Sequence, residues 1–367
     1  MRKYDEDELL LIWLDSFCKI SYENKQKIFS LIKGKSDIKN LICKNREMIS
    51  SEIGVNNYLV LESSATKEYL NAILDGLNKR GLEVITVASG NYPELLKQTG
   101  EPPLVLYVKG NVKLLSEKLF GIVGSRKSLP LSLNICKSYV MALCGAGFSF
   151  TTGIAEGVDK TVIEEAIKEN GKVVCVLPGG FDHIYPKQHE NLVDAIINKG
   201  GAVITEYPPE VEVMPYNFPI RNRIIAGLSK GVLVVSAGKK SGTLYTAEYA
   251  EEYGRDLFAV PYSVGIASGV GTNDLIKRGA VLTDSPEDIL SFYGIEQTKD
   301  EEQELSDIEK AVVKAIADQP LHIEKICEKT GKKVFEIASV LSFLEIKGII
   351  VKAGINVYGL GKNISEE

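Results

Sequence analysis

The stretch LFGIVGSRKS, residues 119–128, decides the fold, because an apolar run ends there in glycines that two cations follow closely. A short, nearly continuous apolar run is typical of a strand buried on both faces of a sheet. Glycines after such a strand let the backbone approach a phosphate closely. The stretch therefore predicts a strand and a tight turn into a helix, with Arg126 and Lys127 at the mouth of the turn.

The same alternation continues on the carboxyl side of this stretch, over residues 119–294. Apolar runs such as KVVCVLPGG and GVLVVSAG alternate with helical stretches such as VDKTVIEEAIKENG and LYTAEYAEEYGRD. This order predicts an α/β fold, an extended Rossmann-like and mostly parallel sheet with helices on both faces. Such sheets bind ligands at the carboxyl ends of their strands, where the glycine-rich segments of this region fall.

The flanking segments have other patterns. Residues 1–75 show apolar residues at helical spacing and predict a domain of short helices, and residues 76–118 predict a turn-rich connector leading into the core. Residues 295–306 are polar and acidic and predict a linker. Residues 307–367 show three helical stretches and then two short apolar strands, which predicts a winged-helix domain.

Composition limits the possible functions. The 367 residues carry a net charge of −6, so any positive charge for a polyanionic partner must be focused in a patch. The six cysteines form no C-x-x-C pair, which favours free thiols in a reducing compartment. With three histidines we expect no metal site and no cofactor. We find no signal peptide and no membrane-spanning run, and expect a cytoplasmic protein.

Cations, glycines and aromatic residues gather on the predicted loops. In LPGGFDHIYPKQ, residues 177–188, Phe181 and Tyr185 stand beside Lys187, which suits base stacking with a phosphate contact. The alternative is that the two rings pack under the loop. The loop KKSGT, residues 239–243, places Lys240, Ser241, Gly242 and Thr243 before a helix, again compatible with phosphate.

The segment NFPIRNRIIAGLSKG, residues 217–231, places Arg221 and Arg223 at a predicted helix start. Two arginines there oppose the helix dipole, and an anionic ligand would relieve both them and the free amides. The alternative is a salt bridge to an acid such as Glu206. No Ser-His-Asp, Cys-His or Walker A arrangement is present, so the composition suits binding a nucleic-acid backbone rather than cutting one.

Between residues 82 and 285 the ordered motifs GIVGSRK, TTGIAEGVDK, LPGGFDHIYP, NFPIRNRIIAGLS and SAGKKSGTLYTAEYA resemble the DNA-processing protein A family, DprA, also called Smf. The resemblance implies a dimeric Rossmann-like protein that binds single-stranded DNA. It implies loading of the recombinase RecA onto incoming single strands during natural transformation, against single-strand-binding protein. It also implies no enzymatic activity, and the N-terminal helices resemble the sterile-alpha-motif (SAM)-like region of some members.

The positions of this sequence that match the family's motifs imply residues that contact DNA. One departure is Glu156, which stands where the family often has a basic or small residue. The candidate phosphate-binding residues are Gly124, Ser125, Arg126, Lys127, Lys187, Asn217, Phe218, Arg221, Arg223, Lys240, Ser241, Gly242 and Thr243, and the candidate stacking residues are Phe181 and Tyr185. An alternative function is a nucleotide phosphoribohydrolase-like enzyme on a related sheet. The loop PGGFDHIY keeps the P-G-G of such enzymes but lacks their Gly-Thr and glutamate.

Overall fold

The computed structural model describes residues 3–34, 38–295, 305–346, 349–354 and 356–361. The chain divides into two units, Met1–Ile295 and Glu296–Glu367. Most of the predicted linker, residues 295–306, lies outside the described residues.

Six helices open the described part of the first unit, as the apolar spacing of residues 1–75 predicts. They are α1 (Glu6–Asp15), α2 (Tyr22–Ile32), α3 (Ile38–Lys44), α4 (Arg46–Ile53), α5 (Val55–Ser63) and α6 (Lys67–Lys79). Local chemistry fixes their starts: the Ser21 side chain accepts the amide of Asn24, and Asp5 forms a capping box with Glu8. Their apolar faces meet in a core around Trp13 and Tyr58, both fully buried.

Nine strands form one sheet in the same unit. They are β1 (Glu83–Thr86), β2 (Val105–Gly110), β3 (Leu119–Gly124), β4 (Ser149–Thr152), β5 (Val173–Val176), β6 (Ala202–Thr205), β7 (Ser229–Ser236), β8 (Asp256–Ala259) and β9 (Val281–Leu282). Their order is β1-β2-β6-β5-β4-β3-β7-β8-β9. The pairs from β6 through β9 are parallel, whereas β1–β2 and β2–β6 are antiparallel. The predicted mostly parallel sheet is confirmed, and the segment 76–118 contributes its two antiparallel strands.

Helices cover both faces of this sheet. They are α7 (Glu94–Lys97), α8 (Pro130–Gly145), α9 (Val158–Lys168), α10 (Glu190–Asn198), α11 (Asn217–Leu228), α12 (Thr243–Glu252), α13 (Val270–Lys277) and α14 (Pro286–Phe292). Along β7, Val232 and Val234 pack against α11 and α12, while Leu233 and Val235 face the core that contains α8 and α9. Burial on both sides explains why the strands read as continuous apolar runs.

The order in which successive strands are added to the sheet reverses next to β3. From β3 the chain winds outward through β4, β5 and β6, and it then returns to β7 on the other side of β3. In an open parallel sheet, such a switch point leaves a crevice beyond the carboxyl ends of the two strands. Here those ends are Gly124 and Ser236.

The second unit is the predicted winged helix. It contains α15 (Asp307–Ala315), β10 (Leu321–His322), α16 (Ile323–Thr330), α17 (Val334–Ile346), β11 (Ile350–Gly354) and β12 (Val357–Leu360). The strands pair in the order β10-β12-β11. Apolar residues from all three helices form its core, including Val312, Ile326 and Leu341.

Candidate functional site

A cavity of about 750 Å³ lies at the switch point, beyond the carboxyl ends of β3 and β7. We call it the switch-point cavity. It brings together most of the predicted site residues from separate segments of the chain. The predicted residues that line it are Gly124, Ser125, Arg126, Lys127, Tyr185, Phe218, Arg221, Ser241, Gly242 and Thr243.

A cation and two aromatic rings form one side of the cavity. The Arg126 guanidinium lies over the Phe218 ring, 4.4 Å from its centroid. The Tyr185 ring meets Phe218 edge to face, with the centroids 6.0 Å apart, and Tyr185 is 54% exposed. Within the described ranges, no acidic side chain forms an ion pair with Arg126 or Lys127. This side of the cavity therefore offers exposed cations beside aromatic surface.

Hydroxyl groups fix the two turns that follow β3 and β7. The Ser236 hydroxyl accepts the backbone N–H of Ser125 at 3.2 Å and lies 3.0 Å from the Ser128 hydroxyl. On the other turn, the Ser241 hydroxyl accepts the backbone N–H of Thr243 at 3.3 Å. These bonds fix the conformation of both turns beyond the ends of β3 and β7, where the cavity lies.

A buried charged pair lies at the bottom of the cavity. Arg221 is 3% exposed and donates to the carbonyl oxygen of Val176, and Asp159 is 8% exposed and accepts the backbone N–H of Ala155. Burial lowers the pKa of Arg221, and burial raises the pKa of Asp159, while each charge opposes the shift of the other. A Cβ at Gly153 would collide with both side chains, which explains the glycine there.

The position of Arg221 differs from the prediction. The helix α11 begins at Asn217, so Arg221 lies in its second turn and its guanidinium is buried under the sheet edge instead of exposed at the helix start. Its Nε also donates to Asn222 Oδ1 at 3.2 Å. Asn222 lines the cavity and was not predicted, although it stands between the two arginines of the R-N-R motif.

The structure places other predicted residues away from the cavity. Arg223 pairs with Glu206 and donates to the Glu101 carbonyl, so the alternative of an internal salt bridge describes this arginine. Asn217 is buried and its side-chain amide donates to the carbonyl of Pro178 at 2.9 Å. Among the residues that we expected to contact the ligand, these two instead stabilise the fold.

Three further predicted residues do not line the cavity. Phe181 is partly buried and packs against the sheet cores, as the alternative for one of the two loop rings predicts. Lys187 and Lys240 are exposed. The two lysines adjoin segments that do line the cavity, since Lys187 follows Tyr185 and Lys240 precedes Ser241.

Metal-binding clusters and membrane-spanning helices were sought among the residues that the structure describes. Among them, no group of three or more histidine, cysteine, aspartate or glutamate side chains is placed to hold a metal ion. In the same ranges, no helix has both the length and the apolar character required to cross a bilayer.

Comparison with known families agrees with this geometry. The family model described as DNA recombination-mediator protein A matches residues 83–294, and the model of the DprA winged helix domain matches residues 296–354. The first range contains the whole sheet and the switch-point cavity.

Relatives of known sequence extend the match beyond the sheet. Protein Smf of Escherichia coli K12 is 33% identical over 303 residues, which cover 78% of this chain and 80% of that protein. DNA processing protein DprA of Bacillus subtilis is 38% identical over 221 residues, which cover 60% of this chain and 74% of that protein.

Solved structures show the same fold. DNA processing protein A from Streptococcus pneumoniae superposes with a TM-score of 0.66 at 27% identity, covering 79% of this chain and 98% of that one. DNA processing protein A from Helicobacter pylori, whose structure concerns a single-stranded DNA binding mode, superposes with a TM-score of 0.52 at 26% identity, covering 58% of this chain and 95% of that one. The chain therefore belongs to the DNA recombination-mediator protein A family.

Proposed function

We propose that the switch-point cavity binds single-stranded DNA and that the chain acts as a recombination mediator. The observation that supports this most strongly is the contact of Arg126 with Phe218. A guanidinium can hold two phosphate oxygens at once, and an adjacent aromatic face can stack an unpaired base. A duplex hides the faces of its bases, so this combination favours a single strand.

Charge supports the same proposal. In a chain of net charge −6, Arg126 and Lys127 form no ion pair with an acid in the described ranges, whereas Arg80 and Arg223 do. Cations without acidic partners can neutralise phosphates and release counterions, which supplies most of the sequence-independent affinity for nucleic acid. The Helicobacter pylori protein that superposes on this chain binds single-stranded DNA, which is consistent with such a role.

A salt titration with matched arginine variants tests the site. Arg126→Ala removes a cation that lies over an aromatic ring at the cavity, and Arg46→Ala removes one that lies over Tyr58 in the N-terminal helices. For single strands, each phosphate contact contributes roughly −0.7 to the slope of log affinity against log salt. We expect Arg126→Ala to weaken binding and to flatten the slope by about that amount. Equal effects of the two variants would exclude the cavity as the site.

Family membership, rather than the geometry, supports a proposal for the finer role. We propose that the chain acts in the cytoplasm as a homodimer, protects incoming single strands and loads RecA onto them against single-strand-binding protein during natural transformation. RecA assembly on strands precoated with single-strand-binding protein, with and without this protein, measures that step. No acceleration of assembly would refute the loading role and leave strand binding to be judged by the titration.

We also propose that the protein binds DNA without acting as an enzyme. The glycines of the P-G-G loop are explained by packing, because a Cβ at Gly179 would collide with Val213 and one at Gly180 with the carbonyl of Pro208. Incubation with nucleoside monophosphates tests the phosphoribohydrolase alternative. Release of free base in excess of the protein would contradict a purely binding role.

A further inference from the structure

A buried histidine joins two segments beside the switch-point cavity. The residue His189 is 2% exposed. Its Nδ1 lies 2.6 Å from the carbonyl oxygen of Ile154, and its Nε2 lies 2.8 Å from Oε1 of Glu156. A carbonyl oxygen only accepts hydrogen bonds, so Nδ1 carries a proton and donates it.

The second ring nitrogen also faces an acceptor. Oε1 of Glu156 accepts from Gln188 Nε2 at 3.1 Å and lies 3.8 Å from Lys160 Nζ. The hydrogen bond from His189, followed by that from Gln188, lowers the pKa of Glu156, so this carboxyl group is ionised and only accepts. The two ring nitrogens of His189 therefore contact two different groups of the same turn, the Ile154 carbonyl and the Glu156 side chain.

The histidine connects two segments that lie next to the cavity. It ends the loop that carries Tyr185, and its partners Ile154 and Glu156 belong to the turn between β4 and α9. The same turn supports the β3 turn: the Val158 amide donates to the Ser125 carbonyl at 3.4 Å. A Cβ at the intervening Gly157 would collide with that carbonyl, so the two turns are in close backbone contact.

We propose that His189 and Glu156 are positioning residues for the single-strand site, a hydrogen-bonded pair that holds the Tyr185 loop against the turn supporting Arg126. This inference rests on the proposed function. Neither residue lines the cavity, so both act through the aromatic and cationic side chains that do. Loss of the pair displaces Tyr185 relative to Phe218 and weakens stacking of a base.

The direction in which DNA affinity changes on one substitution distinguishes a positioning role from simple electrostatic repulsion. As a negative charge near a polyanion, Glu156 repels DNA, so its neutralisation alone would tighten binding. As a positioning residue, its neutralisation weakens binding. Glu164→Gln is the matched control, because Glu164 is exposed, lies 4.0 Å from the same Lys160 and makes no contact with His189.

The positioning role is tested by measuring the binding of a fluorescent oligothymidylate to the wild type, Glu156→Gln and Glu164→Gln. Melting temperatures of the three proteins are measured alongside. We expect Glu156→Gln to weaken binding roughly 5-fold, the low end for coupling between sites, relative to Glu164→Gln. Binding by Glu156→Gln as tight as, or tighter than, that of Glu164→Gln would overturn the positioning role.

A second measurement does not depend on DNA. The chain has three histidines, so ¹⁵N spectra of the imidazole rings can be assigned with a His189→Gln variant. We expect the ring resonances of His189 to shift in Glu156→Gln and to stay in place in Glu164→Gln, because only Glu156 contacts the ring, and identical ring spectra of the two variants would overturn the inference. Failure of the wild type to bind any single strand would refute the proposed function, while the ring spectrum would still decide the state of the pair.

Discussion

Removal of the Phe218 ring tests the aromatic half of the proposed site. Phe218 contacts both Arg126, at 4.4 Å, and Tyr185, at 6.0 Å between centroids, so Phe218→Ala removes the centre of the aromatic surface. Stacking of one base on an aromatic side chain is worth about 1–3 kcal/mol. We therefore expect single-strand affinity to fall roughly 5- to 150-fold.

The dependence on salt separates stacking from charge in this experiment. Phe218→Ala removes no charge, so the slope of log affinity against log salt should stay at its wild-type value, while Arg126→Ala flattens it. An exposed contact of a cation with a ring is worth about 0.5–1 kcal/mol, so the double variant should show a coupling of that size.

The assay is fluorescence anisotropy with a labelled oligothymidylate at several salt concentrations. Phe335→Ala is the control, because it removes a ring that is 70% exposed from the winged-helix unit. A flattened slope for Phe218→Ala, or an equal loss of affinity for Phe335→Ala, would refute the assignment of base stacking to Phe218.

Three further predictions concern stability and reactivity. Arg223→Ala leaves the Glu206 carboxylate buried without its cation, and we expect the free energy of unfolding in urea to fall by about 3–5 kcal/mol. Gly153→Ala forces a methyl group against the buried charges below the cavity, and thermal unfolding should show a loss of about 1–3 kcal/mol. Burial raises the pKa of Cys175 to about 12 whereas Cys18 is exposed, so mass spectrometry after brief alkylation of the native protein should find Cys18 modified and Cys175 intact.

The sheet was predictable because its strands carry the pattern that burial on both faces requires. The direction of an individual strand was not, because antiparallel β1 and β2 are as apolar as their parallel neighbours. Helix α13, in the segment VGTNDLIK, was not among the predicted helices. Only two of its eight residues, Leu275 and Ile276, are long aliphatic side chains, so it offers little helical periodicity.

The cavity was predictable where a turn follows a strand and less so along α11. Arg126, Ser241 and Phe218 were identified from glycine-rich or motif segments, and the fold brings them together. Arg221 and Arg223 were assigned to the same ligand, although residues two apart on a helix point about 200° apart. That geometry alone places one of them away from the cavity, while the partners that bury the other arginine come from segments distant in sequence.

The most direct test of the proposed site is to map where a bound strand contacts the protein. An oligonucleotide containing 5-iodouracil can be cross-linked by ultraviolet light and its attachment sites mapped by mass spectrometry. We predict cross-links to Phe218 or Tyr185, the rings at the switch-point cavity. Cross-links confined to aromatic residues of the winged helix, such as Phe335 or Tyr358, would contradict it.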